Sequence, residues 1–174
     1  MKRIIVSVTN DLVTDQRVDK TCDVLTEIGF EVILVGRKLK NSLPIHRKYS
    51  SKRFRLVFNK GILFYAEYNT RLFLFLLFSR KNFLFSNDLD TLLPNYLISK
   101  IQKKKLFFDS HELFSEIPEL VNKKRVKNVW KYLEKIIIPR LENVITVSDS
   151  IKNHYHNLYG ISATVLRNIP KIEK

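Results

Sequence analysis

Short apolar runs alternate along this chain with longer segments whose apolar residues recur every three or four positions. Such runs, bounded by polar breaks, are typical of buried strands, and the longer segments are typical of helices with one buried face. Because the two patterns alternate, we predict an α/β fold, with a mainly parallel sheet of about seven strands and helices on both faces. The predicted strands are Arg3–Val8, Glu31–Val35, Phe54–Phe58, Phe83–Phe85, Leu106–Phe108, Asn143–Val147 and Ala163–Leu166.

The predicted helices begin and end at recognisable signals. Glycine is expected to close two of them, Gly29 after the first helix and Gly160 after the last. Ser148 is a good N-cap for the last helix, because its hydroxyl can accept a free backbone amide. The predicted helices are Val18–Ile28, Ile62–Ser79, one with Pro94 in its first turn, Val126–Ile137 and Asp149–Leu158.

The composition is that of a single folded domain in a reducing, cytoplasmic compartment. The 174 residues can enclose a real core, and 45% hydrophobic residues argue against disorder. The single cysteine, Cys22, excludes a disulfide framework and a cysteine-based zinc site. We expect no signal peptide, since Met1–Arg3 leads into only a short apolar run. We expect no membrane-spanning helix, since Leu72–Phe78 is far shorter than the ~20 residues required.

Positive charge is unevenly spread over the chain, whose formal net charge is +14. Nine Lys or Arg residues and no acid lie between Arg37 and Ala66, and Lys103–Lys105 and Lys123–Arg125 add two clusters. Such a field attracts anionic lipid headgroups, nucleotide phosphates or nucleic acid. A solvated basic surface explains the same pattern equally well.

The strand that ends at Phe108 is followed at once by polar and acidic residues. Asp109, His111 and Glu112 come first, and Glu116 follows. In open α/β sheets, ligands gather at the carboxyl ends of the strands. His111 could therefore bind a ligand hydroxyl or exchange protons near neutral pH, with Asp109 or Glu112 orienting its ring. The alternative is a structural histidine that ties down the loop.

The loop after the first predicted strand carries a second group of candidates. It contains Asn10, Asp11 and Arg17 but no glycine. The dinucleotide-binding fingerprint is therefore absent, and an NAD enzyme is not expected. We expect Arg17 to bind an anion or to form a structural salt bridge with Asp11 or Asp15, the salt bridge being slightly favoured.

A third group ends the fourth predicted strand and should lie beside the His111 loop. It consists of Asn87 and Asp88, with Asp90 as a candidate helix cap. A Ser-His-Asp triad is not predicted, because the chain has no Gly-x-Ser-x-Gly motif. The four histidines are scattered without a metal-like spacing, so no metal site is predicted.

The predicted helix Ile62–Ser79 carries more large apolar side chains than one buried stripe can hold. Core packing under a neighbouring helix is the usual reason for such a surplus. The alternative is an exposed patch that faces a membrane or a partner, flanked by Arg71, Arg80 and Lys81.

Several motifs occur together in a fixed order along the chain. They are Asn10–Val18, Val35–Arg37, Asp88–Pro94, Asp109–Glu112, Glu116–Glu119, Val144–Ser148, Tyr159–Gly160 and Val165–Pro170. As an ordered set they resemble the N-terminal domain of bacterial family-four glycosyltransferases, the retaining two-domain enzymes with the GT-B architecture. The resemblance covers nearly the whole chain.

The resemblance implies a Rossmann-like domain at residues 1–167 that holds a saccharide or lipid-linked acceptor. Residues 168–174 would begin the linker to an absent C-terminal domain, which would bind the nucleotide-sugar donor. No cofactor or metal is then expected on this chain. The implied activity is hexosyl transfer in the synthesis of a cell-surface polysaccharide. It would take place in the cytoplasm, at the inner leaflet of the cell membrane, where the basic surface would meet anionic lipids.

The same resemblance implies roles for individual residues. His111 matches the family's histidine that contacts the transferred sugar, which makes it the expected catalytic residue. The residues expected to line or organise the cleft are Asn10, Asp11, Arg17, Asn87, Asp88, Asp109, Glu112 and Glu116. The glycine-rich first turn of many relatives is missing here, so we do not expect this loop to contact the donor phosphates.

A protein of a different class would fit the charge alone. It would be a non-enzymatic module that binds a membrane surface, nucleic acid or a protein through its basic face. The chain has neither a recognition-helix motif nor an aromatic-basic RNA-binding strand, so specific nucleic-acid binding is not expected. If the enzyme hypothesis holds, the isolated chain should have negligible activity, because donor contacts and water exclusion need the second domain.

Overall fold

The computed structural model describes residues 1–116 and 123–167, which form a single sheet with helices on both faces. The strands are β1 (Lys2–Asp11), β2 (Phe30–Lys38), β3 (Ser50–Arg55), β4 (Phe83–Asn87), β5 (Lys105–Ser110), β6 (Asn143–Thr146) and β7 (Ala163–Val165). All pair in parallel in the order β3-β2-β1-β4-β5-β6-β7, which confirms the predicted Rossmann-like α/β fold. The strand order reverses between β1 and β4, and in such sheets the carboxyl ends beside the reversal form a crevice for ligands.

The connecting helices are α1 (Gln16–Glu27), α2 (Gly61–Phe78), α3 (Leu92–Ile101), α4 (Lys124–Ile137) and α5 (Asp149–Tyr159). The caps predicted for α5 are confirmed. The Ser148 hydroxyl accepts the amide of Ile151, and Gly160 has a left-handed φ of 67°. Gly29, with a φ of 94°, follows α1. Within residues 1–116 and 123–167, no helix is long and apolar enough to cross a bilayer.

Alternate residues of the central strands point to opposite faces of the sheet, as the twofold strand period requires. Ile5, Leu84 and Phe108 belong to the larger core, under α2, α3, α4 and α5. Ile4 and Phe85 belong to a smaller core under α1. Because α1 is the only described helix on that second face, a groove of about 510 Å³ stays open there, lined mostly by apolar side chains that include Phe30, Phe83 and Phe107.

The third strand differs from its predicted bounds. It spans Ser50–Arg55 rather than Phe54–Phe58, and it pairs with Ile33–Lys38 of β2. The backbone amides of Val57 and Phe58 both donate to the Glu67 carboxylate at 2.9 Å, so they are not available for the sheet. A side chain of α2 therefore ends the strand earlier than the apolar pattern suggests.

The large apolar side chains of α2 are divided between the core and the surface. Tyr68, Leu72 and Leu76 are fully buried in the larger core, whereas Phe78 and Leu63 are largely exposed. The Tyr68 hydroxyl donates to the carbonyl of Val8. That bond ties α2 to the end of β1, next to the edge where the candidate residues lie.

Candidate functional site

The candidate site lies at the carboxyl edge of the sheet, where β5 ends. Asp109 and Ser110 belong to the strand itself, in register with Ile145 and Thr146 of β6, rather than to the loop after it. Asp109 is consequently almost fully buried. His111 is the first residue beyond β5, and about a fifth of its side chain is exposed.

The imidazole of His111 is held between two carboxylates. Its Nε2 lies 3.0 Å from Oδ2 of Asp109, and its Nδ1 lies 3.3 Å from Oδ2 of Asp88. The backbone amide of His111 donates to Oδ1 of Asp88 at 2.8 Å. Three contacts thus fix both the ring and the loop that carries it, and they join the ends of β4 and β5.

These contacts favour the charged forms of both partners. Burial acts to lower the pKa of His111, but its hydrogen bond to Asp109 and the charge of Asp88 raise that pKa overall. Burial acts to raise the pKa of Asp109, but His111 and Arg17 lower that pKa overall. The pair thus stabilises the imidazolium form of His111 and the carboxylate form of Asp109, relative to the same groups in water.

Asp88 reaches His111 from a backbone conformation that non-glycine residues rarely adopt, with a φ of 55°. Its amide donates to the carbonyl of Asp109 at 2.9 Å, which ties this turn to β5. Burial raises the pKa of Asp88 to about 6, although the charge of His111 opposes the shift. Strained backbone of this kind is concentrated at functional sites, and here it aims a carboxylate at the histidine.

Asp90 belongs to the same cluster, although the sequence suggested only a helix cap. It does not cap α3, whose N-cap residue is Thr91. It is buried, accepts a hydrogen bond from the Thr9 hydroxyl at the end of β1, and is electrostatically coupled to Asp88. Burial, followed by the charge of Asp88, raises its pKa to about 7. The sequence could have indicated this role, because Asp90 follows Asp88 by two positions at the end of the same strand.

Arg17 does not pair with Asp11 or Asp15 as expected. Its Nη2 donates to both carboxylate oxygens of Asp109, at 2.9 and 3.0 Å, and its Nη1 donates to the carbonyl of Leu166 at 3.3 Å. The expected salt bridge with Asp11 or Asp15 was wrong, because the fold brings Asp109, near the end of β5, within reach of Arg17 at the start of α1. The buried Nε of Arg17 has no hydrogen-bond partner in the described residues.

Asn10 and Asp11 organise the turn after β1 and lie apart from the His111 contacts. Asn10 donates to Asp15 at 3.1 Å, and Asp15 in turn accepts the amide of Val18 as the N-cap of α1. Asp11 accepts a hydrogen bond from the hydroxyl of Ser42. Both residues therefore shape the rim of the site without touching its histidine.

Two expected cleft residues are placed elsewhere. Asn87 is fully buried, where it donates to the carbonyl of Ser7 at 3.0 Å, so it ties β4 to β1 and cannot line an open cleft. Glu116 forms ion pairs with Lys127 and Lys131 of α4, at 2.6 and 2.8 Å, rather than joining the histidine cluster. Glu112 is exposed, and its charge helps to raise the pKa values of Asp88 and Asp90.

Two of the expectations fall on residues that the structure does not describe. They are the linker predicted at residues 168–174 and the acid Glu119. In the described part of the chain, no three His, Cys, Asp or Glu side chains are grouped so that they could hold a metal ion. The site is thus a cluster of acids around one histidine and one arginine, which can bind hydroxyl-rich ligands through charged hydrogen bonds.

Comparison with known proteins places this geometry in context. The sequence profile of Glycosyltransferase Family 4 matches residues 16–171. None of the curated protein sequences compared with the chain matches it. The family match covers most of the chain, including α1, the Asp88 turn and the His111 loop.

Solved structures show the same fold at low sequence identity. Sucrose-phosphate synthase from Thermosynechococcus elongatus aligns with a TM-score of 0.74 at 10% identity, over 96% of this chain and 48% of that one. Os79 from O. sativa, in complex with UDP and deoxynivalenol-3-glucoside, gives 0.60 at 9% identity, over 93% and 51%. UDP-GlcNAc 2-epimerase from Methanocaldococcus jannaschii gives 0.55 at 15% identity, over 95% and 45%. The chain therefore spans about half the length of these proteins, and the likeness shows the fold alone.

Proposed function

Since the chain belongs to Glycosyltransferase Family 4, we propose that it is the acceptor-binding half of a retaining glycosyltransferase. The complete enzyme would move a hexosyl unit from a nucleotide sugar to a saccharide or lipid-linked acceptor in cell-surface glycan synthesis. The observation that carries this proposal is the clamping of His111 between Asp88 and Asp109 at the carboxyl edge. That edge is where sheets of this topology bind their ligands.

His111 is the proposed catalytic residue, since its ring would touch the transferred sugar. Its longer contact, 3.3 Å from Nδ1 to Asp88, is the one that a sugar hydroxyl can replace. Its 3.0 Å contact with Asp109 would remain and keep the ring oriented. A protonated imidazole can donate a charged hydrogen bond to a hydroxyl, and such bonds are stronger than neutral ones.

The carboxylates divide into two roles in this proposal. Asp88 would accept a hydrogen bond from an acceptor hydroxyl, whereas the buried Asp90 would act on Asp88 through its charge. With pKa values near 6 and 7, both acids could also hold a proton close to neutral pH. Asp109 and Arg17 would position His111. Asn10, Asp11 and Glu112 would form the rim around them.

The nucleotide sugar would be held mainly by the second half of the enzyme. This is supported by the shared fold with a protein solved with UDP and with a UDP-GlcNAc epimerase. It is also supported by the length of this chain, which covers about half of sucrose-phosphate synthase and about half of the epimerase. The isolated chain would then have negligible transferase activity, because it lacks the donor contacts and the closed site.

The basic surface would hold the enzyme at the cytoplasmic leaflet of the membrane. Lys52 and Arg55 are exposed on β3, at the edge of the sheet, and Arg53 between them is partly buried. Each Lys or Arg near an anionic leaflet contributes ~1 kcal/mol, so several are enough for reversible attachment. Edge-strand lysines also discourage strand-to-strand association, which accounts for part of this charge.

The full-length enzyme that contains this domain tests the proposal through His111→Gln. We expect kcat for sugar transfer to fall by about 100-fold, in the range that one positioned proton donor contributes. The matched control is His156→Gln on the exposed surface of α5, which should leave kcat unchanged. Equal rates for the two variants, with both proteins folded, would reduce His111 to a structural residue.

A further inference from the structure

An apolar cleft of about 310 Å³ lies between α2 and α4, on the opposite face of the sheet from α1. Its floor includes Leu93 of α3, and its walls include Tyr65 and Trp130, whose rings meet edge to face at 5.0 Å. Ile62 and Val129 stand at its rim with more than half of their surface exposed. Its volume is within the roughly 300–1,000 Å³ of small-molecule sites, and such sites are mostly apolar with a few polar groups.

Two polar atoms of the cleft residues are buried without a hydrogen-bond partner among the described residues. They are Nε1 of Trp130, on a side chain that is 7% exposed, and Oδ1 of Asn69. An unpaired buried donor is costly and rare in folded proteins. Because both atoms are covered by protein, neither can contact a ligand in the open cleft, so the affinity of the cleft must come from its walls and its mouth.

Both helices that flank the cleft begin there with positive charge. The N-cap residues of α2 and α4 are Lys60 and Lys123, neither makes a capping hydrogen bond, and neither first turn holds an acid. Helices usually begin with Ser, Thr, Asp or Asn, because the free amides at that end prefer a negative partner. Arg125, which lines the cleft, is exposed and has no acidic partner in the described part of the chain. The mouth of the cleft is thus suited to an anionic group.

The cleft adjoins the His111 site through one shared residue. Asn69 lines the cleft, and its Nδ2 donates to the carbonyl of Asp90 at 3.0 Å. Asp90 follows Asp88, the residue that holds the histidine loop, by two positions. A ligand in the cleft would therefore lie next to the residues that hold the proposed acceptor site.

We propose that this cleft binds the hydrocarbon chain of a lipid phosphate, whose phosphate lies at Arg125 and the first turns of α2 and α4. The apolar walls would cover the hydrocarbon chain, and the guanidinium of Arg125 would pair with the phosphate. This inference rests on the proposed function, and it narrows the acceptor to a phosphate-linked lipid. The combination of an apolar cleft with a cationic mouth fits such an amphiphile better than it fits a free saccharide.

The chain carries its own reporter, because Trp130 is its single tryptophan. The 174-residue protein is titrated with alkyl phosphates of increasing chain length, each below its micelle concentration, while tryptophan emission is recorded. We expect a saturable change, with an affinity that rises roughly fourfold for each added methylene until the cleft is full. Inorganic phosphate should leave the emission unchanged, and alkyl alcohols of equal length should bind at least several-fold more weakly.

Matched variants locate the binding. Val129→Glu places a negative charge on the cleft wall and should lower affinity at least tenfold, whereas Tyr132→Glu, on the same helix but outside the cleft lining, should not. Arg125→Gln should weaken phosphates but not alcohols, with Lys135→Gln as its control. Equal effects of the two Glu variants, no dependence on chain length, or binding only above the micelle concentration would each overturn the proposal.

The two proposals can fail separately. Lipid phosphate binding in the cleft, combined with no sugar transfer by the full-length enzyme, would reject the proposed function alone. Transfer to a water-soluble saccharide, combined with no lipid phosphate binding, would reject the lipid cleft alone.

Discussion

Two carboxylates of this domain each contact two basic side chains, and they differ mainly in burial. Asp109 contacts Arg17 and His111 with only 3% of its side chain exposed. Glu116 contacts Lys127 and Lys131 with 44% of its side chain exposed. Both pKa values are lowered, that of Glu116 to about 2. Each carboxylate has two basic partners, so burial is the main difference between the two sites.

The difference shows why a lowered pKa is not a measure of stabilisation. Water and salt screen the Glu116 pairs, and exposed pairs of this kind contribute ~0–1 kcal/mol. Around Asp109 the charges have lost most of their water, so each one depends on the others for compensation. The buried group is therefore fragile toward removal of one member, although the intact group contributes little net stability. Fragility of this kind suits a site that must hold one ring in one orientation.

The largest expected effect is that of Asp109→Asn, which leaves Arg17 and His111 without their shared carboxylate. We expect the free energy of unfolding to fall by about 3 kcal/mol, at the lower end of the range for breaking a buried ion pair. Urea denaturation at pH 7 measures it. The pKa of His111 should fall as well, which an NMR titration of its ring protons would show. A loss below about 1 kcal/mol would mean that Asp109 behaves like an exposed acid.

An intermediate effect is expected from pH, with a sign set by the buried acids. The folded-state pKa of Asp90 is raised from 3.8 to about 7, so the native state binds a proton that the unfolded chain releases above pH 4. The raised pKa values of Asp88 and His111 act in the same direction. Stability should therefore decrease as the pH rises from 5.5 to 8, with Asp90 accounting for about 2 kcal/mol of the change.

Asp90→Asn is the matched variant for this pH dependence. The amide oxygen can still accept from the Thr9 hydroxyl, but the group no longer titrates. Urea midpoints of the variant should vary less between pH 5.5 and 8, and the variant should be the more stable protein at pH 8. An unchanged slope would assign the pH dependence to Asp88 and His111 instead.

Features that depend on neighbours along the chain could be predicted from the sequence, whereas contacts between distant residues could not. Strands with a clear apolar run, and the caps Ser148 and Gly160, depend on neighbours along the chain, and they were predicted correctly. The Arg17–Asp109 pair joins residues 92 positions apart, and only the position of α1 over the sheet brings them together. Glu67 ended β3 for a similar reason, since its carboxylate comes from the following helix.

The burial of polar side chains also could not be predicted from the sequence. Asn87 ends β4 and Asp90 follows it, and their polarity suggested an open cleft and a helix cap. The structure buries both, because β1 lies alongside and supplies the Ser7 carbonyl and the Thr9 hydroxyl as partners. Which side chains are covered at the end of a strand depends on which strand lies beside it, and not on the residues of the strand itself. The order 3-2-1-4-5-6-7 cannot be read from an alternating pattern alone.

The smallest expected effect is that of Glu116→Gln, which completes the comparison with Asp109. The two lysines it leaves behind are one quarter and one half exposed, so water can solvate them once the carboxylate is gone. We expect the free energy of unfolding at pH 7 to change by less than about 1 kcal/mol, and this small loss to disappear in 1 M salt. The pair should also weaken as the pH falls from 4.5 toward 2, where the carboxylate becomes protonated in the folded state. Urea denaturation at low and high salt, beside Asp109→Asn, provides the measurement. A loss as large as that of Asp109→Asn would show that partner number, and not burial, sets the cost of removing a carboxylate from this domain.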